Sequence, residues 1–395
     1  MLQKGDPEQA RQINIALILN LLKTEGVLSR AQIAKKLNLS KMTISTIISD
    51  LIDESLIVEI GEGKGNRKGG RKPILLQLTE NTKYVIGIDV GRTNIAIAIG
   101  GVSGAINTKV RIATNLDHSL ESILSQLTVI VEEVITSSGV ARKNILGIGF
   151  SIGGLINKDQ GFIDVSPDFD WSNVPMQQIL EQKFKMPVVI DNCSRVMALG
   201  EMWHGAAKEI KNLFYVSLGF GLGSAIVTNY SIYENYSEFG HIHITRKPVK
   251  CGCGLSGCLE AVASGQAIER EANDKLSEYN TFGRRLSGKD VHDLAISGNE
   301  IARKILSDSG RYVGRALALV ANIFHPEKII IGGGVTNAGE YLYAPMKREF
   351  LSHTMEALRD SVHIEFSELG DDAGVLGAVS LALDTYVFHS KVLSR

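Results

Sequence analysis

The periodicity of this chain switches at Tyr84, and one packing scheme cannot serve both sides of the switch. Before it, residues 12–57 are glycine-poor and repeat apolar residues at helical spacing. After it, short apolar runs such as YVIGIDV and NIAIAIG alternate with glycine turns and longer helical stretches. A period of 3.6 buries one stripe of a helix and a period of two buries one face of a strand, so the switch also marks a boundary between folding units. A chain of 395 residues has room for two or three such units and a sizeable core. The expected division is a first, largely helical domain at 1–80 and an α/β domain at 81–395.

In the first unit, Ile15, Ile18, Leu19 and Leu22 share one face of a helix that ends near Gly26. Ser29 is placed to cap a second helix, RAQIAKKL, which turns Ile33, Ala34 and Leu37 inward. After the turn NLS, Ser40 is placed to cap a third, KMTISTIISDLIDESL, which buries Ile44, Ile47, Ile48 and Leu51. Helix, helix, tight turn, helix is the helix-turn-helix order. The segment VEIGEGKGNRKGGRKPILLQL then reads as two alternating strands around a loop that carries Lys64, Arg67, Lys68, Arg71 and Lys72, the form of a β-wing.

Ser40, Lys41, Thr43, Ser45 and Thr46 open the third helix with small polar and basic side chains suited to phosphates and base edges in the major groove. Arginines flanked by glycine in the wing suit the narrow minor groove of AT-rich DNA. The expected partner is double-stranded operator DNA, palindromic with AT-rich segments, read by a homodimer or a dimer of dimers. A helical domain that only mediates protein contacts is the alternative, and the wing's charge weighs against it. That charge is local, because 42 lysines and arginines are offset by 43 aspartates and glutamates. No run approaches the ~18 apolar residues of a membrane helix, and MLQKGDPEQARQ has no apolar signal core, so a cytoplasmic protein without membrane contact is expected.

In the second unit, YVIGIDV, NIAIAIG and INTKVRI precede a helix at 119–138 and the strand ILGIGF. A second series starts with NLFYVSL and GSAIVTN and reaches KIIII before GGGV. Strands followed by alternating helix and strand, twice, predict two related α/β lobes facing a cleft. Three of the four cysteines crowd into CGCGLSGC, which in a reducing compartment reads as a ligand cluster. His241, Cys251, Cys253 and Cys258 form His-x9-Cys-x-Cys-x4-Cys, a set able to close a zinc tetrahedron with no position left for reactive water. The expected cofactor is therefore structural Zn2+, with unliganded reduced thiols as the alternative. Cys193 lies outside this spacing and reads as a small buried thiol.

DVGRTN at 89–94, GFGLGSAIV at 219–227, EFGHI at 238–242, CGCGLSGCLE at 251–260 and GGGV at 332–335 resemble the ROK family of repressors and sugar kinases. The resemblance extends over essentially all of 81–395. With a winged helix-turn-helix ahead of it, the chain resembles the repressor branch, similar to xylose, N-acetylglucosamine and glucose repressors. It implies an actin-like, RNase H-like ATPase fold of two lobes with sugar and nucleotide meeting in the cleft. Lobe one is expected at about 81–195 plus a C-terminal helix at about 373–390, and lobe two at about 196–372. The resemblance further implies that Asn192, Glu238, His241 and Glu260 contact sugar hydroxyls. Carboxylates can accept from paired hydroxyls, an amide can donate and accept, and an imidazole held by a metal keeps a second nitrogen free.

The family's kinases resemble ENDAN at the turn that carries their catalytic aspartate, third in the motif. This chain reads Asp191-Asn192-Cys193-Ser194-Arg195, with a thiol at that position. Losing a general base commonly costs about 10²–10⁴ in rate. The phosphate turn also departs from DxGGT, reading Asp89-Val90-Gly91-Arg92-Thr93. With Gly219, Gly221 and Gly333 it makes up a degenerate nucleotide site. FSIGG at 150–154 places Gly153 where the family usually has proline. The expectation is no catalytic residue, ATP unlikely as a ligand, and a sugar-responsive repressor of carbohydrate-utilisation genes. Two alternatives stay open: a bifunctional ATP-dependent sugar kinase with a DNA-binding domain, and a regulator controlled by a protein partner such as a sugar-uptake component.

Overall fold

The computed structural model describes residues 7–63, 72–279 and 284–388. Lys64, Arg67, Lys68 and Arg71 of the expected wing lie outside the described residues. The first domain runs α1 (Pro7–Glu25), β1 (Leu28–Ser29), α2 (Arg30–Leu37), α3 (Lys41–Asp53), β2 (Ile57–Glu62) and β3 (Ile74–Leu78). Ser29 caps α2 through a reciprocal box with Gln32, and Asn38 ends that helix in the left-handed region at φ 52°. Ser40 then caps α3 by accepting from the Thr43 amide. Ile18, Leu22, Ile33, Ile44, Ile48 and Leu51 close the core against Leu76. The sequence extends α3 to Leu56, whereas the helix ends at Asp53. Ser55 turns left-handed at φ 60° and the Leu56 amide bonds back to the Leu51 carbonyl, aiming Ile57 into β2.

Lobe one contains β4 (Tyr84–Val90), β5 (Asn94–Gly101), β6 (Ile106–Ala113), α4 (Leu120–Ser138) and β7 (Ile145–Ile152). A small antiparallel sheet of β8 (Leu155–Asn157), β9 (Phe162–Ser166) and β10 (Trp171–Val174) follows, then α5 (Met176–Phe184), β11 (Val188–Asn192) and α6 (Cys193–Trp203). The main sheet is ordered β11-β7-β4-β5-β6, with β4 to β6 antiparallel and β7 and β11 parallel to β4 and to each other.

Lobe two repeats the plan with β12 (Leu213–Leu218), β13 (Leu222–Thr228) and the short β14 (Ser231–Ile232). There follow α7 (Leu259–Ala263), α8 (Gly265–Lys275), α9 (Gly288–Ile296), α10 (Glu300–Phe324), β15 (Lys328–Gly332), α11 (Glu340–His353) and β16 (His363–Phe366), after which α12 (Ala373–Leu383) returns to pack on β4 and β7 of the first sheet. The sheet of lobe two is ordered β14-β13-β12-β15-β16, antiparallel at β12–β13 and parallel at β15 and β16.

The helices α6 and α12 lie between the two sheets. Ala198 of α6 packs with Leu213, Tyr215 and Ala225 of the second sheet, while Val379 of α12 reaches the first sheet at Gly87 and Gly100. The two helices meet at backbone contact. A side chain on Gly377 would overlap the Val196 carbonyl, and one on Gly200 would overlap the Ala373 carbonyl. After α12 the chain makes a π-helical turn over Asp384–Phe388 that touches α1 of the first domain. The architecture is thus a winged helix-turn-helix joined to a two-lobed actin-like α/β domain. Among the described residues no helix is long and apolar enough to cross a membrane.

Candidate functional site

The cysteine loop lies between the turn that carries His241 and the start of α7, which meet where the Leu259 amide donates to the Ile242 carbonyl. The Phe239–His241 turn presents His241, and Cys258 stands at the N-cap of α7. Between them, Gly254 and Gly257 take φ of 90° and 77°, which side-chain-bearing residues rarely adopt, and the Cys251 amide bonds the Leu255 carbonyl. Cys251 Sγ lies 3.6 Å from His241 Nδ1, Cys253 Sγ lies 3.7 Å from Cys258 Sγ, and all four ligand atoms fall within 4.8 Å of one another. A tetrahedron built on zinc–sulfur bonds of about 2.3 Å has edges near 3.7 Å, so the donor set fits zinc in chemistry and spacing.

The other face of His241 looks into the cleft, with Nε2 3.8 Å from Glu238 Oε2. Glu260, in the first turn of α7, accepts from the Leu222 amide at 3.0 Å. Burial raises the pKa of Glu238, with His241 opposing and Glu260 adding to the rise. Asn192 ends β11 and caps α6, accepting from the Ser194 amide at 2.9 Å and donating to the Gly154 carbonyl at 2.8 Å. One amide hydrogen and one lone pair of Asn192 remain for a ligand. The structure thus brings Glu238 beside His241, ties Glu260 to the Leu222 amide, and makes Asn192 the cap of α6.

The first residue after Asn192 is Cys193, whose thiol is buried. Burial, reinforced by Asp89 and Asp168, pushes the Cys193 thiol up to about 12, so it keeps its proton at neutral pH. Asp191 points away into an ion pair with Arg195 at 3.2 Å and accepts from the Asn192 amide. Asp89 accepts from Ser151 Oγ at 2.6 Å, and its burial favours the protonated form. Arg92 Nη1 donates to the Asp168 carbonyl, and its guanidinium carbon lies 5.0 Å from the centre of the Phe220 ring. It thereby spans the cleft from the Gly91 turn to the turn that holds Gly219 and Gly221. Thr93 is exposed and accepts from Asn94, and Gly333 turns at φ 95° against the Leu218 carbonyl.

Sequence reasoning missed Asp168. A Cβ on Gly153 would sit 3.4 Å from Asp168 Oδ2 and 3.8 Å from Cys193 Sγ, so this carboxyl reaches the same corner of the cleft as the thiol. Burial raises its pKa and Arg92 opposes the rise. The one available signal was an acidic residue in the SPDFDW turn between two apolar strands.

At the other end of the molecule, Ser40 and Thr43 share a hydrogen bond of 2.8 Å at the start of α3, while Lys41, Ser45 and Thr46 lie exposed. Lys72 is exposed and pairs with Glu62 at 3.3 Å. The two ends are linked by α6, which starts beside Asn192 and finishes at Trp203. There the Lys23 amine of α1 lies 3.0 Å from the ring centroid. Asn20 of α1 donates to the Phe388 carbonyl at 3.0 Å, and the Phe388 ring packs edge-on to Trp203.

Comparison with known proteins places this geometry in context. The profile of the ROK family matches residues 85–385, and that of a winged helix-turn-helix DNA-binding domain matches residues 14–58. The xylose repressor of Caldicellulosiruptor bescii is 32% identical over 391 residues, spanning 96% of this chain and 97% of that protein. The crystal structure of a ROK family transcriptional regulator, a homologue of the E. coli MLC protein, superposes with a TM-score of 0.82 at 26% identity, over 98% of this chain and 100% of the other. A ROK family glucokinase from Streptomyces griseus in complex with glucose and AMPPNP superposes with a TM-score of 0.66 at 28% identity, over 75% of this chain and 98% of the other.

Proposed function

The chain belongs to the ROK family, and from that membership we propose that it represses carbohydrate-utilisation genes by holding operator DNA and releases it when a sugar occupies the cleft. One observation carries the reading. The first domain rests on Trp203, the last residue of the helix whose first turn is capped by the cleft residue Asn192. In this reading Asn192, Glu238, His241, Glu260 and Asp168 receive sugar hydroxyls. When bound by His241, Cys251, Cys253 and Cys258, zinc supplies a fixed loop and a fixed imidazole. Two first domains brought together in a homodimer or dimer of dimers read the two halves of a palindromic, AT-rich operator. A ligand moves such an equilibrium only by its difference in affinity for the two states, and a 100-fold difference corresponds to about 2.7 kcal/mol.

The test is a labelled duplex, selected from a random library on the full chain, titrated with xylose, glucose and N-acetylglucosamine. One sugar is expected to release it. Glu260→Gln, which replaces a charged acceptor by an amide, is expected to raise the sugar concentration required by roughly 10–100-fold. Release that ignores every sugar that binds the protein overturns the reading.

A kinase reading draws on the preserved Asp89 and on the likeness to a glucokinase. The protonated Cys193 and the engaged Arg92 oppose it. Sugar-dependent ADP release is expected at background in the native chain. In Cys193→Asp with Arg92→Gly it is expected to rise by at least ~10²-fold, since a positioned base is commonly worth that much. Native turnover well above background, lost in Glu260→Gln, decides for a bifunctional enzyme.

A further inference from the structure

The outward stripe of α3 offers fewer free hydroxyls than its sequence suggests. Met42, Ser45, Thr46 and Ser49 recur at helical spacing opposite the buried Ile44, Ile47, Ile48 and Leu51. Three of the four would be taken for polar readers of base edges. Yet Thr46 Oγ1 donates to the Met42 carbonyl at 3.2 Å, Ser49 Oγ donates to the Ser45 carbonyl at 2.9 Å, and Ser40 and Thr43 bond each other. The hydroxyl protons of Thr46 and Ser49 are thus committed to the helix itself, whereas the exposed Ser45 hydroxyl is not. The apolar side chain that stands out from this stripe is Met42, 83% exposed and the most exposed large apolar residue among the described residues of the first domain. It lies in the first turn, beside Lys41, where a helix-turn-helix brings its third helix to the base edges. Of the groups that bases present in the major groove, only the thymine 5-methyl is apolar.

We propose that Met42 is a specificity-determining residue whose thioether side chain packs on the 5-methyl group of one thymine in each half-site, with Lys41 placed on the adjoining phosphate. The inference rests on the DNA-binding reading above. An unbranched, polarisable side chain suits this contact, because it can follow a methyl group without demanding a hydrogen-bond partner.

The experiment uses the full chain and the duplex selected on it, with each thymine replaced singly by deoxyuridine, which lacks only the methyl group. We expect one position per half-site at which the replacement weakens binding about four-fold, the worth of roughly one buried methyl. In Met42→Ala that position should no longer distinguish thymine from deoxyuridine, while the salt dependence of binding, set by phosphate contacts, stays as in the native chain. Met42→Leu should keep part of the discrimination. A thermal melt checks that the variants fold, which the exposure of Met42 favours. The inference is overturned if every deoxyuridine is tolerated, or if native chain and Met42→Ala show the same penalty at the same position. If the chain enriches no duplex over competitor even at low salt, the DNA-binding reading itself falls, and the methyl contact with it.

Discussion

Replacing Cys258 by serine, or removing metal with a chelator, is expected to abolish the response to sugar while leaving duplex binding by the first domain within a few-fold of native. Cys258 is 1% exposed at the N-cap position of α7, and the next residue, Leu259, donates its amide to the Ile242 carbonyl. One turn of chain therefore ties the cysteine loop both to the Glu238–His241 turn and to the helix that carries Glu260. With the clamp open, Cys251 and Cys253 lose their common partner and neither carboxylate keeps its place. Apparent binding energies for structural zinc in small peptides are about 10–16 kcal/mol, enough to order a loop of this size. Two charge-assisted hydrogen bonds to the ligand, each worth roughly 1.5–3 kcal/mol, would be lost together, so sugar affinity should fall by more than about 100-fold. Metal content after dialysis, a calorimetric titration with xylose and a thermal melt give the readouts. Native sugar affinity in metal-free protein would refute the bracing role of the cluster.

This cluster was legible in the sequence because its information is local: three thiols within eight residues, and a histidine ten positions ahead of the first. The helix-turn-helix was legible for a similar reason, since caps at Ser29 and Ser40 and the stripe Ile44, Ile47, Ile48 and Leu51 each lie within a few turns of chain. The end of α3 was not, because the left-handed Ser55 that stops it is a residue type with no strong preference for that conformation. The partners of Arg92 were hidden for another reason. Asp168 lies far along the chain in the same lobe and Phe220 belongs to the other lobe, so nothing local in DVGRTN selects them. Asn192 was read for its amide chemistry alone. Its second task as the cap of α6 follows from the turn geometry, and it changes what a substitution there would report. Lys23 and Trp203 are far apart in sequence and neither belongs to a motif, so this contact between the two domains had no signature at all.

That contact yields the other large expected effect. Trp203→Ala should leave sugar affinity within about two-fold of native and cut the factor by which sugar weakens operator binding from ~100-fold to below ~10-fold, a loss of coupling of about 1–2 kcal/mol. The physical basis is a rod with a ligand at one end and a domain at the other. The eleven residues of α6 span about 16 Å at 1.5 Å per residue. Its backbone contact with α12 at Gly200 and Gly377 leaves little freedom to bend, so a shift at Asn192 travels to Trp203 as a whole. At that end burial draws the Lys23 amine down to about 8, with Asp384 opposing, and the ring face favours its charged form. A desolvated cation over an aromatic ring is worth about 2 kcal/mol, and alanine removes both the ring and its packing on Phe388. Lys23→Arg, which keeps a cation over the ring, should preserve most of the response, whereas Lys23→Gln should behave like Trp203→Ala. Sugar and operator affinities measured separately and together on each variant give the coupling directly. Full release in Trp203→Ala would show that the signal leaves the cleft by another route. A matching fall in sugar affinity would instead make Trp203 a support of the binding site, because a residue that only transmits must leave both separate affinities nearly untouched.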